Sequence, residues 1–147
     1  MVQNYISGAV QPNAGPEKSI ETKHSFAVID LGKLILNQSG ADLLTHVPNR
    51  KGRIIGLLVL VDEETTDGNA DGTITAEVSG TVVTGGVVTI ADTASGTPFT
   101  TLGKIFQGTV ITAANTFGPG DYLDVAYATT NAFSDGVARV LLVVEWY

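Results

Sequence analysis

The 147-residue chain contains no cysteine. Disulfides, thiol nucleophiles and thiolate metal sites are thereby excluded, and stability has to come from packing or assembly. Charge is scarce too, at 16% of residues, and the balance is acidic, with 8 Lys and Arg against 15 Asp and Glu for a net charge of −7. Phosphate binding needs a concentration of basic side chains that such a chain lacks, so no nucleic-acid partner is expected. No apolar run approaches the roughly 20 residues of a membrane span. Residues 1–15 lack the basic start and continuous apolar stretch of a signal peptide. A soluble, unprocessed product without a membrane partner is expected.

Catalytic signatures are missing as well. The two histidines, His24 and His46, stand in no pattern that joins them to a nucleophile. There is no Gly-x-Ser-x-Gly elbow, no phosphate loop with its lysine and no His-Glu-x-x-His zinc helix. The chain is not expected to be an enzyme.

What the sequence does hold is strand. Val, Ile and Thr number 17, 10 and 18, whereas Glu, Lys, Arg and Gln together reach 18. Branched side chains pack well on a pleated surface and lose rotamer freedom in a helix. The 17 glycines, placed mostly between apolar runs, supply turns for many short strands.

Residues 1–22 carry Pro12, Pro16 and isolated apolar groups at Val2, Tyr5, Ile6 and Val10, too few to build a core, and are read as an N-terminal arm. Residues 23–147 are read as one β-sandwich domain. His24–Leu36 is strand-like with a bend or bulge at Gly32. A short piece from Ala41 to Val47 ends at Pro48. The run RIIGLLVLV from Arg53 to Val61 is apolar on both faces, which predicts a central strand covered on each side.

Residues 73–79 alternate, with Ile74, Ala76 and Val78 facing one way and Thr73, Thr75, Glu77 and Ser79 the other. Gly85-Gly86 reads as a two-residue hairpin turn between TVVT and VVTI. Further strands are predicted within 100–112, at 121–129 after a turn at Pro119-Gly120-Asp121, and at 136–147. Seven or eight strands with short turns and no amphipathic helix favour a β-sandwich. A jelly roll fits the count, and an immunoglobulin-like sandwich stays open beside it.

The sharpest local motif is Asp67-Gly-Asn69-Ala-Asp71-Gly72-Thr73-Ile74, the opening pattern of a calcium loop in which oxygen ligands at alternate positions wrap one cation. Asp67, Asn69, Asp71 and Thr73 are the candidate ligands, and Ca2+ the candidate ion. Against it, the twelfth position is Val78 where a bidentate acid belongs, so an acidic hairpin turn is the weightier reading. Arg50, Lys51 and Arg53 form the one basic cluster, a candidate contact for an acidic partner. Trp146 and Tyr147 either close the core or anchor an interface.

The stretch from Arg53 to Asp124 resembles the decoration, or cement, proteins of tailed-phage heads. The elements that carry the likeness are RIIGLLVLV, an acidic loop, TITAEVSGTVVTGGVVTI, TPFTTLGKIFQGTVITAANTF and GPGDYLDVAYA, followed by a Val/Leu-rich strand. The resemblance implies a β-sandwich or jelly roll, commonly a homotrimer, made in the host cytoplasm and seated on the outer surface of the virion. There it would bind the major capsid protein and stiffen the shell. Val2, Tyr5, Ile6 and the basic cluster are then candidates for capsid contact. The alternative is a calcium-dependent carbohydrate-binding or adhesin-like β-sandwich that uses the acidic loop.

Overall fold

The computed structural model describes residues 23–40, 44–66, 69–91 and 98–147. The arm expected over residues 1–22, with Val2, Tyr5 and Ile6, lies outside the described residues, as does Asp67.

Every regular element among the described residues is a strand. In chain order these are β1 (Ser25–Ile35), β2 (Thr45–His46), β3 (Gly52–Glu63), β4 (Asp71–Val78), β5 (Thr81–Ala91), β6 (Ile105–Gln107), β7 (Thr116–Phe117), β8 (Leu123–Asn131) and β9 (Val137–Trp146). They form two antiparallel sheets, β1-β9-β3-β6 with β7 added on β3, and β2-β8-β4-β5. The nesting is regular: β1 pairs β9, β2 pairs β8, β3 pairs β6 and β4 pairs β5. This is one long hairpin rolled across two sheets, the jelly roll. An immunoglobulin sandwich would keep its first two strands in one sheet, whereas β1 and β2 lie in different ones.

Alternation builds the core. Ile54, Leu57, Val59 and Val61 of β3 and Ala138, Val140, Leu142 and Val144 of β9 are buried against Ile74, Ala76, Leu123, Val125 and Tyr127 of the second sheet. Full burial of each Leu, Ile or Val contributes roughly 1.5–3 kcal/mol before the entropy of ordering is subtracted. Tyr127 is buried with its hydroxyl donating to the carbonyl of Leu36 at 2.9 Å, and burial pushes that hydroxyl's pKa upward. Phe117 meets Trp146 edge-on at 5.5 Å and closes one end of the core.

Three local expectations change in the folded chain. The Gly85-Gly86 pair is no hairpin turn. The turn joining β4 to β5 is Ser79-Gly80, both at positive φ and flanked by the pair Val78 and Thr81, as a two-residue turn that matches strand twist requires. Gly85 and Gly86, with φ of 91 and 64, instead form a bulge inside the continuous β5, opposite the register shift between Thr75 and Glu77. Residues 109–113 run alongside that bulge, with the Thr84 amide donating to the Ala113 carbonyl at 2.9 Å and the Gly86 amide to the Thr109 carbonyl at 3.0 Å. A Cβ on Gly85 would fall on the Val110 carbonyl, so glycine is needed there to let two backbones approach.

Glu77, expected on the solvent side of β4, is buried beside its register partner Asp124, which is buried as well. Third, β3 is central, between β9 and β6, but the described residues cover only one of its faces. A two-layer sandwich has one interior, and the other face of β3 is the outer face of the described sandwich.

β8 and β9 fall where alternation places them and β6 lies within 100–112, whereas β7, a two-residue strand on β3, falls in a stretch where the sequence predicts no strand. The bend expected at Gly32 is a bulge in β1, with φ of 115 and the Gly32 amide donating to Asp30 Oδ1 at 2.9 Å. The Pro119-Gly120-Asp121 turn precedes β8, held by Asp121 Oδ2 accepting from the Gly118 amide at 2.8 Å.

Candidate interaction surface

Side chains on a strand alternate between faces, so the register fixes what the outer face of the β1-β9-β3-β6 sheet presents. Val28 of β1 stands opposite Val143 of β9, which stands opposite Gly56 of β3. In the next row Leu141 stands opposite Leu58, and in the row beyond Leu60 stands opposite Ile105 of β6. Phe26 and Ile35 lie toward the two ends of β1 and are exposed. An antiparallel sheet with one wet face normally alternates apolar and polar residues. On the second sheet that rule holds better, since the outward rows of β4 and β5 carry pairs such as Thr73 with Thr89.

Charge enters the same rows, since Asp30 of β1 is the register partner of Leu141 and Arg139 of β9 is that of Leu60. Asp30 accepts from Arg139 Nη1 at 2.6 Å, and Asp62 from Lys33 Nζ at 2.8 Å. The hydrogen bond from Lys33 holds the Asp62 carboxyl below its ordinary pKa of 3.8. At the other end of the strands Glu145 Oε2 takes Arg53 Nε at 2.8 Å and lies 3.3 Å from His24 Nδ1. Burial works to raise the Glu145 pKa, but the hydrogen bonds from Arg53 and His24 outweigh it and hold the carboxyl below its usual 4.5.

This Glu145 end is where the fold gathers the basic cluster and the aromatic C-terminus. The Arg50 guanidinium lies 4.7 Å from the centre of the Trp146 ring, a cation–π contact. The Tyr147 amide donates to the Lys51 carbonyl at 3.4 Å, and its ring lies 5.8 Å from that of His24. Trp146 therefore packs against the core while Tyr147 stays at the surface. His24, Arg53, Asn115, Thr116, Glu145 and Tyr147 line an open recess of about 400 Å³ at this corner. Sequence reasoning missed His24 and Glu145 as members of the corner, because neither carries a local motif and only the register of β1, β9 and β3 unites them.

Lys23, Arg50, Lys51 and Arg53 stand at the end where β3 starts, with Glu145 beside Arg53, while Asp62, Glu63, Glu64, Asp71 and Asp135 stand where it finishes, with Lys33, Lys104 and Arg139 nearby. Asp135 there accepts from the Thr66 amide at 2.9 Å.

The candidate calcium residues divide. Asp71 and Thr73 lie within β4, where Asp71 pairs Ala91 on one side and Asn131 on the other, and Asn69 is exposed before the strand. Gly72 is buried, and a Cβ there would press on the Ala128 carbonyl. Among the described residues no three His, Cys, Asp or Glu side chains gather as a metal site.

Comparison with known proteins finds no matching family model and no matching curated protein. Among solved structures, the chain is similar to a chain of the cyanophage Pam1 capsid asymmetric unit, at 15% identity over 94% of this chain and 92% of that one, with a TM-score of 0.39.

Proposed function

We propose that this chain is a structural protein of a virion, a homotrimer that binds the outer surface of a phage capsid through the major capsid protein and stabilises it, without a catalytic step. The observation that carries the reading is the outer face of the β1-β9-β3-β6 sheet, where Phe26, Val28, Ile35 and Ile105 are exposed and no other described residues cover them. Monomers rarely expose contiguous apolar patches above a few hundred Å², and larger ones mark protein contact sites. The resemblance of residues 53–124 to phage-head decoration proteins supplies the kind of partner.

The basic corner is the part of the surface assigned to the capsid. His24, at the start of the described residues, lies 3.3 Å from Glu145 at this corner, and Val2, Tyr5 and Ile6 are assigned to the capsid contact with it. Arg50, Lys51 and Tyr147 would contact an acidic, partly apolar surface there, in the manner of interfaces whose core is aromatic and whose rim is charged.

Sedimentation with capsids of the source phage stripped of their surface proteins tests this. The full chain is expected to co-sediment at a fixed copy number and raise the temperature at which the particles break open. Arg50→Glu with Lys51→Glu is expected to weaken binding at least tenfold. Wild-type chain left in the supernatant would reject the reading.

A further inference from the structure

The two sheets have four lateral edges, at β1, β6, β2 and β5. β6 and β2 are three and two residues long, and so short an edge offers little to pair with. β5 is long but covered, since the Thr112 amide donates to the Thr84 carbonyl at 2.9 Å and the Thr109 amide to the Val87 carbonyl at 3.0 Å. β1 is 11 residues long, and among the described residues no segment bonds to its outer edge. We propose that residues 2–11 of the same chain add to this edge as one more antiparallel strand, beside residues 25–30. The inference goes beyond the capsid reading and does not depend on it.

The edge divides at the bulge. Beyond Asp30 the register shifts and Lys33 follows, two devices that blunt an edge against pairing. Residues 25–30 keep an unbroken register with residues 146–141 of β9, so their outward N–H and C=O groups form a regular, unused row. The packing is unfinished at the same place. Ala27, Ile29 and Leu31 turn toward the core but are only partly buried, whereas Ile54, Leu57 and Val59 of the central β3 are fully so. A strand laid along residues 25–30 would pair the open backbone groups and cover these three side chains together.

Length, composition and tether select the occupant. Residues 1–22 run directly into β1 and are long enough to turn back along it, with Pro12, Gly15 and Pro16 falling in the connection. Residues 2–11 hold no proline, which could not donate to a ladder, and no charged side chain. Their pattern has a period of two: Val2, Ile6 and Val10 share one face, and Gln3, Tyr5, Ser7 and Gln11 share the other. The first face suits Ala27, Ile29 and Leu31. Tyr5 then stays outward for the capsid contact, while Val2 and Ile6 serve it by holding the arm in place. A tether of this length keeps the segment at an effective concentration of roughly millimolar, against which any outside strand has to compete.

The test uses the full chain in solution without capsids, so that its failure is distinguishable from failure of capsid binding. Hydrogen exchange is followed amide by amide by NMR. In the wild type, the amides of residues 25–30 that point away from β9 should exchange about tenfold slower than in Ile6→Pro, which removes a donor from the added strand. The amides bonded to β9 should stay slow in both, which reports that the sandwich is folded. Val2→Asp with Ile6→Asp should also release the edge, whereas Tyr5→Asp, on the other face, should leave it protected. Equal exchange in the wild type and Ile6→Pro would overturn the proposal, as would release of the edge by Tyr5→Asp. Refolding nitrogen-labelled Ile6→Pro chains with unlabelled wild type identifies whose arm is bound. Fast exchange in the labelled chains is expected, and restored protection would give the edge to a neighbouring copy's arm and overturn the assignment.

Discussion

Arg53 and Glu145 are register partners across β3 and β9, and their side chains meet at 2.8 Å with His24 3.3 Å from the same carboxylate oxygen. Three segments that are remote in sequence, the start of β1, the start of β3 and the end of β9, are thereby tied at one corner. Because Arg53 and Glu145 are fixed by strand pairing, forming the pair costs less side-chain ordering than a bridge between two mobile surface groups.

The carboxylates at the two ends of this sheet make the fold acid-sensitive. Glu145 and Asp62 both have folded pKa values below their ordinary 4.5 and 3.8, so the stability they contribute is fully present above those values and is lost as pH falls through the lowered ones. Urea midpoints measured across the acid range are expected to drop in that window, and Glu145→Gln is expected to flatten part of the slope. Parallel curves for the two proteins would show that the corner has no share in it.

The bulge in β5 makes a second, sharper prediction. Gly85→Ala forces a side chain onto the Val110 carbonyl and into positive φ, and should cost about 3 kcal/mol. Gly103→Ala is the comparison, because Gly103 also has positive φ, of 81, but its added Cβ would meet nothing within 4 Å. That change should cost about 1–2 kcal/mol. Equal losses by denaturant titration would mean that the approach of residues 109–113 is not what requires glycine.

Calcium is expected to bind the full chain no more tightly than about 0.1 mM, the weak end for loops of this type. Asp71 and Thr73 are extended in β4 between two partner strands, and Val78, in the place of the closing acid, belongs to the core. Calorimetry showing tight binding abolished by Asp71→Ala would reverse this and favour the calcium-dependent binding module.

Much of the fold was legible because alternation is a local property. The inward residues of β4, Ile74, Ala76 and Val78, follow from a period of two, and the bulge at Gly32 from a glycine inside an apolar run. The run from Arg53 to Val61 announced a strand apolar on both sides, and that anomaly became the candidate surface. The glycine pair at 85 and 86 misled for a definite reason: positive φ serves a hairpin turn and a bulge equally well, and the choice depends on what lies alongside.

Composition and period by themselves determined that this chain is a β-sandwich of many short strands, that its stability is cysteine-free, and which residues of most strands turn inward. They did not determine which strands pair. The jelly-roll order, the union of His24, Arg50, Arg53, Glu145 and Tyr147 at one corner, and the ion pairs Arg139–Asp30, Lys33–Asp62 and Arg53–Glu145 on the outer face are consequences of register between segments as far apart as Ser25 and Trp146. Backbone hydrogen bonds are the same for every pair of strands, so pairing is selected by how all the inward side chains fill one interior together, and only the folded chain makes that choice.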